Sequence, residues 1–139
     1  MDGRWVARVT ANDVEVGDAV LIRVGEPAAR VVPVLAGWEE EVVDLARSAG
    51  EEFLIGGRST ARNRAGAVAA SIVVAHGHPK LSASRLRSTR LVTHLAMGTR
   101  LPEWAQAAGM QGVTVLSDLL PFVSRLAEDV AVAALRGRS

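Results

Sequence analysis

The arginines are the residues of this sequence that most clearly suggest a binding function, because many of them lie in a segment that contains no acidic residue. Positions 51–100 contain seven Arg and one Lys, and no Asp or Glu occurs from Phe53 to Pro102. Residues 1–50 have the opposite balance, with five Arg and nine Asp or Glu. The planar guanidinium group suits phosphate oxygens, which it binds through paired hydrogen bonds. The segment therefore predicts a cationic surface that binds a polyanion such as DNA, although a generally high Arg content would give the same count.

Other residue types give no pattern typical of catalysis or of a cofactor. The chain has no Cys and no Tyr, which excludes thiolate metal sites and a phenolic nucleophile. Ser84 and Ser117 have no base beside them in the sequence. His76 and His78 could chelate a metal as a pair, but no third ligand lies near them. We therefore predict no metal and no cofactor.

Length and composition indicate one globular domain. The chain has 139 residues, of which 49% are hydrophobic and 22% charged, and its formal net charge is +1. That length is enough to bury a core. No run of 18 apolar residues indicates a membrane span, and the first residues do not resemble a secretory signal. The expectation is a cytoplasmic protein that does not contact the membrane.

The elements that must position the arginines begin with a predicted β-hairpin. Ala19–Val24 alternates in the manner of a strand, a turn signal follows at residues 25–27, and Val31–Leu35 predicts the second strand. Pro33 favours an edge position, because proline cannot donate a hydrogen bond to a neighbouring strand. A helix should follow Trp38 and end near Gly50.

The second half of the chain predicts helices. Ser59 or Thr60 would cap a helix over 61–75, and Ser82 would cap a helix that reaches Met97. Three further helices are predicted over 102–109, 113–120 and 122–135. The predicted fold class is α+β, a mostly helical domain with a small antiparallel β-sheet. Trp5, Trp38 and Trp104 are expected in the core or against it.

Two segments of the chain resemble the catalytic domain of the tyrosine recombinases, the phage integrase family. The hairpin VGEPAARVVP (24–33) is similar to the family's GKGxKxRxVP segment, one residue shorter. The sequence LSASRLRSTRLVTHL (81–95) resembles the family's box HxLRHTxATHLL. The resemblance spans about residues 17–121 and implies that the chain, 1–139, is a single truncated integrase-like catalytic domain, without the family's N-terminal DNA-clamping domain.

The same resemblance implies that the cutting chemistry is lost. Arg87 occupies the position of the arginine in the second box and would be a remnant of the catalytic set. Ser84 stands where that box has its His. The family's LGH motif is replaced by Ala108-Gly109-Met110, Leu119 stands at the position of the nucleophilic Tyr, and Glu26 replaces the active-site Lys. We therefore expect an inactive relative of the enzymes of DNA recombination and DNA integration, a pseudoenzyme.

The predicted partner is double-stranded DNA, bound mainly through its phosphates. The residues expected to contact it are arginines of the hairpin and of the acid-free segment: Arg30, Arg58, Arg62, Arg64, Arg85, Arg87 and Arg90. The C-terminal apolar run from Leu119 to Val123 could instead contact a second copy or a full-length recombinase, although a place in the core explains it better.

Two other classes of function stay open at this point. Residues 101–118 fit a helix-turn-helix, with Ala105 and Gly109 where a small residue and a turn glycine are needed, which would indicate a small transcription regulator. Its second helix has no Arg or Lys, however, and Asp118 would repel DNA. The third alternative is a protein-interaction module or a prophage remnant.

Overall fold

A computed structural model describes residues 6–27, 29–61, 63–110 and 112–136, with the side chain of Val6 excepted. The strands are β1 (Val14–Val16), β2 (Val20–Val24) and β3 (Arg30–Pro33). The α-helices are α1 (Glu39–Ala49), α2 (Arg64–Ser71), α3 (Ala83–Ala96), α4 (Leu101–Ala108), α5 (Leu116–Leu119) and α6 (Glu128–Leu135). Short 3₁₀ helices lie at Val6–Arg8, Ala11–Asp13, Ala36–Trp38 and Leu120–Phe122. The predicted α+β class, mostly helical with a small antiparallel sheet, is confirmed.

The three strands form an antiparallel meander in the order β1-β2-β3. The predicted hairpin is present, with Val24 opposite Arg30 and Leu21 opposite Pro33, so Pro33 lies on an edge strand as expected. β1 adds a strand that the sequence did not predict. Val20, Val24 and Val32 are buried, because alternate residues of adjacent strands face the same side.

Helix α1 packs beside the sheet through an apolar stripe. Val42, Val43, Ala46 and Ala49 are half-buried at helical spacing, while the intervening residues are exposed. The helix is joined to β2 because the main-chain N–H of Val20 donates to the Glu39 carboxylate at 3.0 Å. The prediction for Trp38 was wrong, since 61% of that residue is exposed at the start of the helix.

Trp104 is the centre of the helical core. It is the largest fully buried side chain of the described residues, and it packs with Leu91, Ala108 and Leu119. Its indole N–H donates to the carbonyl of Leu91 at 3.1 Å, which satisfies the ring's only polar atom. Helices α3, α4 and α5 meet at this cluster, and α4 also packs against β3. The core thus fixes α3 and the end of α4 beside the edge strand.

Candidate nucleic-acid interface

Helix α3 carries two arginines on one face. Its start is set by Ser82, whose hydroxyl accepts a hydrogen bond from the main-chain N–H of Arg85 at 3.3 Å, as the sequence predicts for a capping serine. Arg87 and Arg90 are three positions apart, so they lie one above the other along the helix. Both side chains are half-buried. The cap therefore determines which arginines face the rest of the fold.

Arg90 extends from α3 to the edge strand. Its Nη2 donates to the main-chain carbonyl of Pro33 at 3.0 Å. Arg30 begins the same short strand, three residues before Pro33. The contact therefore brings the side of α3 that carries Arg87 and Arg90 to the strand that carries Arg30. We call these three residues the arginine cluster.

The third member of the cluster lies against the end of α4. Gly109 ends that helix in the left-handed conformation, with φ +62°, and a β-carbon there would lie 3.2 Å from Cζ and Nε of Arg30. The carbonyl groups at the C-terminus of a helix carry partial negative charge and favour a cation. Glycine at this position therefore serves two purposes, since it permits the turn and leaves room for the Arg30 guanidinium.

Arg30 lies close enough to Arg87 and Arg90 for their positive charges to affect it. Burial lowers the pKa of Arg30, and the positive charges of Arg90 and Arg87 lower it further. Burial also lowers the pKa of Arg90. Lowered values mean that this environment disfavours the charged form, although an arginine remains protonated at neutral pH. Converging cations of this kind are stabilised when an anion binds between them.

Within the described residues, no carboxylate forms an ion pair with Arg87 or Arg90 of α3. In the ranges that the structure describes, ion pairs form between Arg23 and Glu15, Arg47 and Asp44, Arg58 and Glu52, and Arg100 and Glu103. Arg87 and Arg90 take part in none of these. The Nε atom of Arg87 is also buried and has no hydrogen-bond partner among the described residues. Leaving such a donor unsatisfied costs free energy, and because the atom is buried, a ligand of Arg87 would have to bind through the terminal Nη atoms.

Arg64 does not fit the predicted contact with DNA. The residue is only 6% exposed, and its guanidinium donates to the carbonyls of Ala7 and Ser59. It also stacks over the Phe53 ring, 3.7 Å from the ring centre. Arg64 therefore holds the N-terminal segment against the loop before α2. Its predicted contact with DNA is corrected to a structural role as a buried arginine.

The remaining predicted arginines lie outside the cluster. Arg85 is exposed on α3. The side chain of Arg58 is 89% exposed, but its Nε lies 2.6 Å from the Glu52 carboxylate, which partly offsets its charge. Arg62 lies outside the described residues. Of the seven arginines predicted to contact DNA, the structure thus brings together Arg30, Arg87 and Arg90.

The four positions at which the resemblance predicted replaced catalytic residues have ordinary structural surroundings. Leu119 is 5% exposed in the Trp104 core, and Met110 packs against the same cluster. The Ser84 hydroxyl lies 3.1 Å from that of Ser82 and is exposed. Glu26 is exposed in the hairpin turn and lines a shallow recess with Arg8 and Arg23. Among the described residues, no His, Asp or Glu side chain is hydrogen-bonded to any of these four.

His94 is a neighbour of the cluster that sequence reasoning did not assign to a site. Its Nδ1 lies 3.3 Å from the Thr99 hydroxyl, whereas Nε2 is buried without a hydrogen-bond partner in the described ranges. Burial lowers its pKa from the ordinary value of 6.5, and the positive charge of Arg90 adds to this effect. The sequence could have indicated this proximity, because His94 follows Arg90 by four residues and so lies on the same face of the helix one turn later.

The helix-turn-helix alternative has a short second helix. α4 runs from Leu101 to Ala108, but α5 is the single turn Leu116–Leu119 and ends with a buried residue. One turn is about 6 Å long, which is too short to present several side chains along the major groove. The geometry therefore does not support residues 101–118 as a helix-turn-helix.

The C-terminal segment is less buried than predicted, since the sequence analysis favoured a place in the core for its apolar run. α6 has no buried residue, and Phe122, Leu126 and Leu135 are 73%, 60% and 89% exposed. Only Leu119 of the apolar run lies in the core. Across the described ranges, no group of three or more potential metal ligands occurs and no helix is long and apolar enough to cross a membrane.

Comparison of the chain with protein-family models and with curated proteins finds no match.

Proposed function

We propose that this protein binds duplex DNA through its phosphate backbone and does not cut it, as a catalytically silent relative of the integrases. The observation that carries the proposal is the arginine cluster, in which Arg30, Arg87 and Arg90 converge from β3 and α3. Phosphate contacts of this kind position a protein on DNA without reading its sequence. A cytoplasmic location and a role beside DNA recombination follow from the same proposal.

Charge distribution supports an extended polyanion as the partner. Two members of the cluster, Arg87 and Arg90, belong to the acid-free segment, whose positive charge is not evident from the net charge of +1. The same helix also carries an exposed arginine, Arg85, which adds to the positive charge of this region. A cationic region next to an acidic N-terminal third would orient the protein as it approaches DNA.

The absence of strand cleavage is proposed from the nucleophile's position. The chain has no Tyr, and Leu119, which stands at that position, has its side chain in the core. Phosphodiester exchange needs a nucleophile in line with the phosphate and an acid for the leaving oxygen. Glu26 at the acid's position would bring a negative charge toward a negative substrate.

A titration of binding against salt tests this function. If four to six phosphates are contacted, the slope of log affinity against log salt concentration should be about −4 to −5. Arg87→Ala should weaken binding to all sequences alike and make the slope shallower by about one. Arg47→Ala is the matched control, because Arg47 lies on α1 and is paired with Asp44. A flat salt response in a mobility-shift assay would refute the proposal.

The exposed C-terminal segment favours a second candidate function, contact with another protein. An apolar helix without a buried residue gains stability when a partner covers it. A second copy of the chain and a full-length recombinase are the partners that the sequence suggests. Gel filtration at several concentrations tests the first, since self-association would shift the elution volume.

A further inference from the structure

The arginine cluster has more positive charge than one internal DNA phosphate can balance. Arg87 and Arg90 alone contribute two positive charges, and neither is paired with a carboxylate of the described ranges. A phosphodiester carries one negative charge, whereas a phosphomonoester has a second pKa near 6 and carries nearly two at neutral pH. The imbalance suggests that the site is suited to a more highly charged ligand.

We infer that the arginine cluster receives a terminal phosphate of DNA, a phosphomonoester, in preference to an internal phosphodiester. This inference rests on the proposed function, because it names the part of the DNA that the same site engages. It predicts that the protein prefers DNA ends that carry a phosphate.

The donors of the cluster match the acceptors of a phosphomonoester. A terminal phosphate offers three strongly accepting oxygens, and a phosphodiester offers two that are not in the backbone linkage. The Nη2 of Arg90 donates to the Pro33 carbonyl, and this hydrogen bond holds the guanidinium in place. The other N–H donors of the guanidinium remain available to a ligand. The Nε of Arg87 is buried, so this arginine would bind an anion through its terminal Nη atoms.

Access to the cluster also favours a terminal group. All three arginines are half-buried, and Arg30 is covered on one side by the end of α4 at Gly109. An internal phosphate reaches half-buried side chains of this kind only if the backbone on both sides of it bends toward the protein. A terminal phosphate has a single linkage and projects from the strand, so it can enter without deforming the duplex.

Binding of duplexes that differ only at their ends tests the inference. Fluorescence anisotropy would compare one sequence with 5′-phosphate, 3′-phosphate or hydroxyl ends, and the same sequence closed by hairpin loops so that it has no ends. We expect about tenfold tighter binding to a phosphorylated duplex than to the hydroxyl or closed forms, equivalent to about 1.4 kcal/mol. The two phosphorylated duplexes together show which strand end supplies the group.

Substitutions in the cluster connect that preference to particular side chains. Arg87→Ala should reduce the tenfold ratio to about one, and Arg87→Lys, which keeps the charge without the planar fork, should give an intermediate ratio. Arg47→Ala should keep the ratio of the unmodified protein, because its exposed pair lies on α1. Thermal unfolding of each variant checks that the fold is intact, and the lysine variant keeps the test valid if the alanine variant fails to fold.

The outcomes separate the inference from the function on which it rests. Equal affinity for all four duplexes, with a normal salt slope, would overturn the preference for terminal phosphates and leave DNA binding in place. A preference that survives Arg87→Ala would also overturn it, since the phosphate would then be bound elsewhere. Failure to bind any of the duplexes would overturn both proposals.

Discussion

Arg90 and Pro33 are joined across 57 positions of sequence by a hydrogen bond of 3.0 Å from the guanidinium to the main-chain carbonyl. Pro33 lies on the edge strand, where its carbonyl can accept a side chain instead of another strand. One half-buried arginine thus attaches α3 to the sheet and contributes charge to the cluster. The same residue is predicted to affect both stability and DNA affinity.

Arg90→Ala should lower the free energy of unfolding by about 1 kcal/mol. The substitution removes the hydrogen bond to the Pro33 carbonyl and the packing of the arginine's aliphatic stem. Urea denaturation would measure the loss. Arg47→Ala should change the same quantity by less than about 0.5 kcal/mol, because both members of its ion pair are exposed. A loss no larger than this control would show that the Arg90 contact contributes nothing to the fold.

Local signals in the sequence were sufficient to predict the helices around the site. Ser82 caps α3, Pro102 lies in the first turn of α4, and Gly109 ends that helix in the left-handed conformation. Each of these residues acts on backbone groups within a few positions of itself, so its effect depends little on the rest of the chain. The predicted bounds of α3 and α4 accordingly agree with the structure to within about a residue.

The bounds of α2 and the burial of Arg64 were predicted badly, because they depend on contacts between residues far apart in the sequence. The helix expected over 61–75 spans only Arg64–Ser71, and Asn63 caps it instead of Ser59 or Thr60. Ser59 is used differently, since its carbonyl accepts from Arg64, whose other partner is the carbonyl of Ala7, 57 positions away. No local pattern distinguishes an arginine that is held in this way from one that faces solvent. The separation of Arg64 from the cluster therefore required the fold.

A tyrosine introduced at position 119 should not produce strand cleavage. Leu119 is 5% exposed among Leu91, Trp104 and Ala108, so Leu119→Tyr must place a larger side chain and a hydroxyl in a packed core. We expect the free energy of unfolding to fall by about 1–3 kcal/mol. Incubation with a nicked suicide duplex, followed by a denaturing gel, should show no covalent protein–DNA adduct.

The control for that experiment is Leu119→Met, which keeps the core volume nearly constant. It should cost less than about 1.5 kcal/mol, because methionine adapts to an existing cavity. An adduct formed by Leu119→Tyr would contradict the proposed inactivity, since it would mean that Arg87 and its neighbours can still activate a phosphate. A tyrosine variant as stable as the unmodified protein would instead show that the side chain has left the core.

His94 should make the stability of the protein depend on pH below about 6.5. Burial and the positive charge of Arg90 lower its pKa in the folded state from the ordinary value of 6.5. Between the two pKa values the unfolded chain binds a proton that the folded chain does not, so stability is present above 6.5 and is lost as the pH falls through the lowered value. His94→Gln should remove this contribution, which urea denaturation at pH 7.5 and 5.5 would measure.

The position of Arg90 allows this interpretation to be checked directly. The NMR titration of the His94 ring should have its midpoint below 6.5, and Arg90→Ala should move that midpoint upward because a neighbouring positive charge is removed. A midpoint at or above 6.5 would show that the ring is solvated and distant from the cluster. A low midpoint that is unchanged in Arg90→Ala would show that burial alone lowers the pKa of His94. The charge of Arg90 would then have no measurable effect on this histidine.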